Sequence, residues 1–175
     1  MKIIETARLA VRHLRREDLE GLAEICADPE VMRYVGDGRP LSREQVREWI
    51  EKSLENYARR GFGSFAVVSK EDGGRLAGYC GLVNPTPEGE AEIIYGFARR
   101  HWGRGLAGEL AGPLLGFGFA SCGLTRVVAT IDPGNLASIR IVEKCGMTLR
   151  ERRTDEDGLP ELVYVAERPT GGGAA

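Results

Sequence analysis

The sequence has few of the features that would place a protein in a membrane or on a nucleic acid. None of its apolar runs approaches the length of about 18 residues that a membrane-spanning helix requires. Charges at Lys2 and Glu5 interrupt the N-terminal segment too early for a secretory signal. A formal net charge of −2 gives no general attraction to nucleic acid. We therefore expect a cytoplasmic protein with no membrane contact and no nucleic-acid partner.

Cysteine and histidine are also too scarce and too scattered to indicate a metal centre. The chain has four cysteines and two histidines. The cysteines lack the spacing of zinc ligands and lie mostly in apolar surroundings, which is typical of reduced, buried thiols in a cytoplasmic protein. We predict no metal and no disulfide among Cys26, Cys80, Cys122 and Cys145.

Apolar periodicity along the chain predicts one α+β domain over residues 1–168 and a flexible tail over 169–175. The 175 residues are enough to bury a substantial core. We expect a mixed, mostly antiparallel sheet of about seven strands, with about four helices. Strand patterns occur at 8–14, 63–69, 75–83, 91–97, 125–131, 147–152 and 162–166. Helical patterns occur at 15–27, 42–61, 106–120 and 136–145.

Local signals mark the ends of several of these elements. Ser42 and Gln45 form a capping-box pattern, and Gly61 is a typical residue to end the helix that follows. The segment 70–74 (KEDGG) predicts a hairpin turn between two strands. Pro113 should kink or weaken the helix at 106–120, since proline removes an internal hydrogen bond.

The stretch Ala98–Gly108, ARRHWGRGLAG, joins an apolar strand to a helix. The first amides of a helix lack backbone partners, and together with the helix dipole they favour an anion. Gly103 and Gly105 would let a ligand approach the backbone closely. Positive charge is added by Arg99, Arg100 and Arg104. We predict that a phosphate-bearing cofactor binds at this turn.

The same turn contains a G-x-G-x-x-G pattern at Gly103–Gly108, which is typical of dinucleotide-binding proteins. That fold requires the glycines directly at the end of the strand and an acidic residue about 20 positions further on. Asp132 lies at a tolerable distance, but Arg99–Trp102 separates the strand from the first glycine. Too few residues follow for the usual doubly wound sheet. A dinucleotide-binding enzyme is therefore a weak alternative.

Parsed as Arg100-x-x-Gly103-x-Gly105, the turn resembles the coenzyme A pyrophosphate loop of the GCN5-related N-acetyltransferase (GNAT) family. Similar stretches occur in the family's order at 5–9 (ETARL), 102–105 (WGRG), 135–138 (NLAS) and 143–146 (EKCG). The resemblance extends over residues 3–166. It is greatest to the branch that contains the RimJ and RimL enzymes, which acetylate N-terminal amines of ribosomal proteins. It implies a GNAT fold, acetyl-CoA as cosubstrate and acetyl transfer to a primary amine.

The resemblance also implies how acetyl-CoA is bound. The strands at 91–97 and 125–131 would form a parallel pair that splays apart, with the pantetheine arm in the gap. A backbone amide of the central strand would polarise the thioester carbonyl. His101 and Trp102 would orient the loop, and Asn135 would bond a pantetheine amide. The implied cofactor-binding residues are Phe97, Arg99, Arg100, Trp102, Gly103, Arg104, Gly105, Leu106, Ala107, Asn135 and Ser138.

Two side chains are candidates for catalysis. Glu92 on the central strand would act as general base through water, and Glu90 is the competing carboxylate. The alternative for Glu92 is that it is only a solvated strand residue without a catalytic role. Ser138 would donate to the departing thiolate, by resemblance to the RimL-like Asn-x-x-Ser pattern, or would simply cap its helix. Many relatives have a tyrosine acid on this helix, and its absence supports a second hypothesis, a catalytically degenerate coenzyme A sensor. Cys80 and Cys145 would need a nearby base to act as nucleophiles, so direct transfer is favoured.

The acceptor pocket is the part that the sequence defines least. By resemblance its walls come from segment 30–40, the helix around Trp49, and the acidic loop 154–158. Tyr34 and Trp49 are the substrate-binding candidates, although the apolar helical register of Trp49 favours packing in the core. A protein N-terminus, a polyamine, an amino acid and an aminoglycoside all remain open as acceptors. The oligomeric state is open too, with a homodimer as one option.

Overall fold

One twisted sheet runs through the computed structural model, which describes residues 2–170. The eight strands appear across the sheet in the order β1-β2-β3-β4-β5-β6-β8-β7. In chain order they are β1 (Lys2–Glu5), β2 (Leu9–His13), β3 (Ser64–Ser69), β4 (Leu76–Val83), β5 (Glu90–Phe97), β6 (Arg126–Ile131), β7 (Thr148–Thr154) and β8 (Pro160–Glu167). All neighbours are antiparallel except β5 and β6.

Five α-helices cover the two faces of the sheet. They are α1 (Leu19–Cys26), α2 (Pro29–Met32), α3 (Arg43–Arg60), α4 (Leu106–Ser121) and α5 (Leu136–Lys144). Apolar side chains of α4 and α5 form one core cluster with residues such as Ile93 and Phe97 of β5. Those of α1, α2 and α3 form a second cluster on the opposite face, which includes Tyr79 of β4. Alternation along the strands thus supplies both cores.

The predicted α+β class and the parallel pair within a mostly antiparallel sheet are confirmed. The structure adds one strand, β1, and one helix, α2, to the predicted set. Both have only four residues, too few to display a clear period in the sequence. Helix α4 runs from Leu106 to Ser121 without a break despite Pro113. Its buried residues Leu110 and Leu114 hold it against the sheet on both sides of the proline.

Helix α3 begins and ends where its caps were predicted. Ser42 N donates to Gln45 Oε1 at 2.8 Å, and Gln45 N donates to Ser42 Oγ at 3.2 Å. Gly61 ends the helix with a φ of 81°, in the left-handed region that glycine adopts without strain. These two caps fix the helix that covers one half of the second core.

The parallel pair is short, and its strands then separate. Three pairs join β5 to β6, and the last is Glu92 with Val128. Beyond it, β5 remains paired with β4 as far as Phe97, and β6 remains paired with β8 as far as Ile131. Each strand therefore keeps its outer neighbour while the two inner edges part. This separation creates the gap in which we place the functional site.

Several absences complete the description of residues 2–170. All four cysteines are free thiols. Within this described range, no helix is long and apolar enough to span a membrane, and no three metal-ligating side chains cluster together. Residues 171–175, most of the predicted tail, lie outside the described residues, so the tail stays a prediction.

Candidate active site

The gap between β5 and β6 is lined by backbone groups of β5. Ala98, directly after the strand, donates its N–H to Ala77 O of β4 at 2.9 Å. Backbone groups of successive strand residues point to opposite neighbours, so those of Tyr95 and Phe97 point away from β4 and into the gap. An extended ligand can therefore pair with this edge of β5 as an added strand would.

The gap leads to the start of α4. Gly103 and Gly105 have φ values of 71° and 73°, which glycine alone adopts readily. Gly105 is the N-cap residue and no side chain caps the helix, so the first amides, from Leu106 onward, have no capping partner. A Cβ built on Gly103 would meet nothing within 4 Å, so the space above the loop is open. Uncapped amides, the helix dipole and open space fit a phosphate group.

Arg8 holds this loop in place, a role that the sequence did not reveal. Its Nη1 donates to Arg104 O at 2.9 Å, and its Nε donates to Glu109 Oε2 at 2.7 Å. Glu109, in the first turn of α4, also accepts bonds from the Arg8 backbone amide and the Thr6 hydroxyl. Arg8 and Glu109 are 101 positions apart, so no local pattern connects them. The only sequence signal was that Arg8 lies in the family-like stretch at 5–9.

The three arginines predicted to meet the coenzyme phosphates each contact other groups. Arg99 Nε bonds Asp28 Oδ2 at 2.8 Å, and Arg104 forms an ion pair with Glu71. The third, Arg100, donates to the backbone carbonyl of Leu76 at 3.0 Å. All three are exposed at the surface. They therefore surround the loop with positive charge, but a phosphate would have to displace their present partners.

His101 and Trp102 flank the loop in different ways. His101 is buried, and burial together with the nearby charge of Arg100 lowers its pKa, so it is a neutral packing residue near pH 7. Trp102 is 47% exposed, and its Nε1 donates to Phe97 O at 2.8 Å. This bond ties the loop back to the end of β5. The expected orienting role of both residues fits these positions and stays a prediction.

Asn135 and Ser138 lie at the start of α5. The Asn135 side chain accepts a bond from Ser138 N at 3.3 Å and so caps the helix, which leaves its amide NH₂ free to donate to a ligand. The Ser138 hydroxyl lies near the phenol of Tyr95. Burial raises the pKa of that phenol, and the Ser138 hydroxyl acts against this shift. The sequence showed no tyrosine on α5, and the tyrosine next to Ser138 comes from β5.

The two candidate carboxylates have different surroundings. Glu90 forms ion pairs with Arg150 at 3.3 Å and Arg126 at 3.6 Å. Glu92 accepts hydrogen bonds from the hydroxyl of Thr130 and from Asn84 Nδ2, the latter at 3.2 Å, and has no ion-pair partner among residues 2–170. Glu92 is therefore the carboxylate that remains available to a proton or an ammonium group.

Asn84 and Thr130 are site residues that sequence reasoning missed. Asn84 has a φ of 49°, the only non-glycine residue in the left-handed region within the described chain. Such a conformation is uncommon and is tolerated best by asparagine. Thr130 comes from β6, across the gap from Glu92. The two residues hold the carboxylate at the point where the strands separate.

The short segment around α2 crosses the open end of the gap. At its start, Asp28 bonds Arg99, which follows β5. At its end, the Tyr34 hydroxyl donates to Gly134 O at 3.3 Å, in the turn that follows β6. Tyr34 is 41% exposed, and its expected contact with the acceptor stays a prediction. Trp49 instead lies in the second core, with Nε1 bonded to Ser64 Oγ at 2.9 Å, as its helical register favoured.

Comparison with known proteins assigns this arrangement to a family. Residues 8–148 match the family model described as an acetyltransferase (GNAT) domain. The chain belongs to the GNAT acetyltransferase family. The mostly antiparallel sheet also excludes the doubly wound sheet that a dinucleotide enzyme would need.

Individual relatives of this acetyltransferase agree with the family assignment. It is 41% identical to the uncharacterized protein YkkB of Bacillus subtilis (strain 168) over 146 residues, which cover 81% of this chain and 83% of YkkB. A GNAT-family acetyltransferase from Bacillus anthracis has a similar structure, with a TM-score of 0.83, 26% identity, and coverage of 96% of this chain and 99% of that one. RimL, the ribosomal L7/L12 α-N-protein acetyltransferase in complex with coenzyme A, shares the fold at 15% identity and a TM-score of 0.84, covering 95% of this chain and 98% of RimL.

Proposed function

We propose that this protein is an acetyl-CoA-dependent N-acetyltransferase that transfers the acetyl group directly to a primary amine. The observation that carries the proposal is the gap between β5 and β6, which has the unpaired carboxylate of Glu92 at its closed end and the uncapped start of α4 at the other. The first can accept a proton and the second can hold a phosphate.

The coenzyme would lie along the gap. Its pyrophosphate would bind the amides from Leu106 onward, and its pantetheine arm would pair with the backbone of Tyr95 and with the N–H of Phe97, whose carbonyl already accepts a bond from Trp102. The free amide group of Asn135 would donate to the arm from the opposite side. Arg104 would exchange Glu71 for a phosphate oxygen, since guanidinium groups suit that geometry.

Transfer then requires one bond to form and one to break. The amine nitrogen forms a bond to the acetyl carbon, and the carbon–sulfur bond to coenzyme A breaks. A cationic amine first releases one proton to solvent. As the free amine attacks, its nitrogen loses a second proton through water to Glu92, and the sulfur leaves as a thiolate that takes up a proton from solvent. Ser138, adjacent to Tyr95, would donate a hydrogen bond to that thiolate.

The thiols support a direct route rather than an acyl-cysteine intermediate. Burial raises the pKa of Cys80 and of Cys145, so neither is a thiolate near pH 7. A nucleophilic cysteine would need an adjacent base. Of the two histidines, His13 stacks on Tyr57 with ring centroids 3.9 Å apart, and His101 lies buried beside the loop. Neither forms a hydrogen bond to a cysteine within the described chain.

The acceptor that we infer is an amine that is cationic in water. Glu92 lacks a cationic partner in the described structure, and Asp132 is exposed in the turn that Tyr34 reaches. Opposite charge attracts such an amine to the gap. A protein N-terminus, such as that of a ribosomal protein, and a small-molecule amine both have this chemistry.

The first experiment is the melting temperature of the protein with acetyl-CoA, free coenzyme A or NAD. A ligand at about 100 times its dissociation constant adds roughly 2.7 kcal/mol of stability, or about 5–10 °C for a chain of this size. We expect a shift with both coenzyme A species and none with NAD. Thiol release from acetyl-CoA is then followed across a panel of peptides with free N-termini, polyamines, amino acids and aminoglycosides. Binding without release for any amine would favour the coenzyme A sensor, and a shift with NAD alone would refute the proposal.

A further inference from the structure

A tyrosine hydroxyl is buried against β5, on the face of the second core, without a hydrogen-bond partner. Tyr79 of β4 is 1% exposed, and its hydroxyl oxygen contacts no donor or acceptor in the described structure. Burial raises the pKa of this phenol, so it keeps its proton at every working pH. A buried hydroxyl with no partner costs free energy, and such groups are rare enough to call for an explanation.

The Tyr79 hydroxyl can lie over β5 because the residue of β5 beneath it, Gly96, has no side chain. Tyr79 and Gly96 are directly opposite each other in the β4–β5 pair. A Cβ on Gly96 would lie 2.5 Å from Tyr79 Cζ and 2.6 Å from its hydroxyl oxygen. No side chain larger than hydrogen fits under the ring, so the phenol end lies directly on the backbone of β5. Trp49 holds the ring from the other side in an edge-to-face contact, with centroids 4.9 Å apart.

Gly96 belongs to the part of β5 that is no longer paired with β6. The last pair with β6 is at Glu92, and Gly96 lies between Tyr95 and Phe97, whose backbone groups point into the gap. Glu92 and Gly96 are an even number of residues apart, so they share the face of the sheet on which the Tyr79 hydroxyl lies. The Tyr79 hydroxyl is thus beside the edge of β5 that we assign to the pantetheine arm and its thioester. It lies on the same face of the sheet as Glu92, the assigned base.

We propose that the Tyr79 hydroxyl donates a hydrogen bond to the carbonyl oxygen of the acetyl thioester. The inference rests on the proposed function. No proton is transferred: the hydroxyl polarises the carbonyl and stabilises the negative charge that grows on this oxygen as the amine attacks. It acts from above the sheet, whereas a backbone amide of β5 acts within its plane. The ligand thereby supplies the partner that the phenol lacks in the free protein.

The test uses Tyr79→Phe with two coenzyme A analogues in the calorimeter. One is the ketone in which a methylene replaces the thioester sulfur of acetyl-CoA (acetonyl-dethia-CoA, hereafter acetonyl-CoA); it keeps the carbonyl in its position and cannot release a thiol. The other, ethyl-CoA, is a thioether without the carbonyl. We expect the variant to bind acetonyl-CoA about tenfold more weakly than the wild type and ethyl-CoA equally well. With an amine acceptor, kcat should fall on the order of 10²-fold, as when an oxyanion donor is removed. The melting temperature should not fall, because the hydroxyl makes no bond that folding would lose.

Tyr57→Phe is the matched control for stability. The Tyr57 hydroxyl is also buried, but it accepts a bond from Leu14 N at 3.1 Å and donates to Ser64 O. This variant should melt at a lower temperature and bind acetonyl-CoA as the wild type does. A shared loss of stability in both variants would mean that Tyr79 has a structural partner, and would overturn the proposal.

Three further results of the binding and kinetic measurements would contradict the proposal or the function on which it rests. Equal binding of acetonyl-CoA by the wild type and Tyr79→Phe, with unchanged kcat, would show that the hydroxyl does not meet the carbonyl. An equal loss of affinity for both analogues would indicate a shifted ring rather than a lost hydrogen bond, and would also overturn the proposal. Failure of the wild type to bind either analogue would instead refute the proposed function itself.

Discussion

The two ends of β5 differ in how their polar groups are satisfied. At the paired end, Glu90 is bonded by two arginines and the backbone is hydrogen-bonded to β6. At the parted end, the backbone of Tyr95 faces the gap and the hydroxyl of Tyr79 lies alongside without a partner. One strand is therefore structural at one end and available to a ligand at the other. A strand can offer a ligand only the groups that its neighbours do not use.

The largest expected effect is a loss of kcat that distinguishes Glu92 from Glu90, the two carboxylates of this strand. Glu92→Gln should lower kcat on the order of 10²-fold, because the amide cannot accept the amine proton while it keeps nearly the same shape. Steady-state kinetics with a saturating amine measures it. Glu90→Gln is the matched control and should leave kcat close to the wild-type value. If the control loses as much activity as Glu92→Gln, the assignment of the base to Glu92, at the point where the strands separate, is wrong.

The second prediction concerns the space kept free at the parted end. Gly96→Ala should destabilise the protein by about 1–3 kcal/mol, because the new methyl group overlaps the Tyr79 ring. Urea unfolding gives the difference in the free energy of unfolding. Gly116→Ala, in the middle of α4, meets nothing within 4 Å and should stabilise by about 0.5–1 kcal/mol. Equal stability of Gly96→Ala and the wild type would contradict the close packing described for Tyr79.

The smallest effect concerns the carboxylate that anchors the loop where the gap ends. Burial opposes ionisation of Glu109, but its bonds from Thr6 and Arg8 outweigh this and hold its pKa below the usual 4.5. A lowered folded-state pKa means that the stabilisation is complete above about pH 4.5 and is lost as the pH falls through the lowered value. Glu109→Gln should therefore cost about 1 kcal/mol at pH 7 and progressively less in acid.

Urea unfolding of wild type and Glu109→Gln at neutral and acidic pH checks this dependence. Glu90→Gln provides the comparison at the paired end. Its ion pairs are more exposed, so its cost at pH 7 should be the smaller of the two. A pH-independent difference between wild type and Glu109→Gln would show that the carboxylate charge does not anchor the loop.

Much of the fold followed from local pattern. The capping box at Ser42 and the strand–turn–helix around Gly103 and Gly105 were visible in the sequence, whereas the left-handed conformation of these glycines is a finding of the structure. The two elements missing from the prediction, β1 and α2, are each four residues long. Single turns and short edge strands depend on packing against their neighbours rather than on their own periodicity.

The candidate site was only partly visible. Its glycines and Asn135 lie in recognisable motifs and Glu92 lies on the predicted central strand, but nothing local marked Asn84 or Thr130. The family-like stretch that contains Arg8 did not reveal its contacts. Tyr34 was identified as a candidate, yet its bond to Gly134 joins residues a hundred positions apart. Arginines that looked free for phosphate proved to be paired with carboxylates from the β3–β4 turn and from the start of α2. Pairing of this kind depends on which loops the fold brings together.

The sequence by itself determined the fold class, because apolar period and helix capping are short-range chemistry, and its ordered motifs gave the resemblance that the family match confirms. The phosphate site at the glycine turn stays a prediction. Only the tertiary structure decided which carboxylate stays unpaired, how the loop is held and which tyrosine hydroxyl lies at the gap. Glu90 and Glu92 are two residues apart in one strand, and nothing local distinguishes them. Their neighbours in space differ, since Glu90 faces arginines of β6 and β7 while Glu92 lies where the two strands separate.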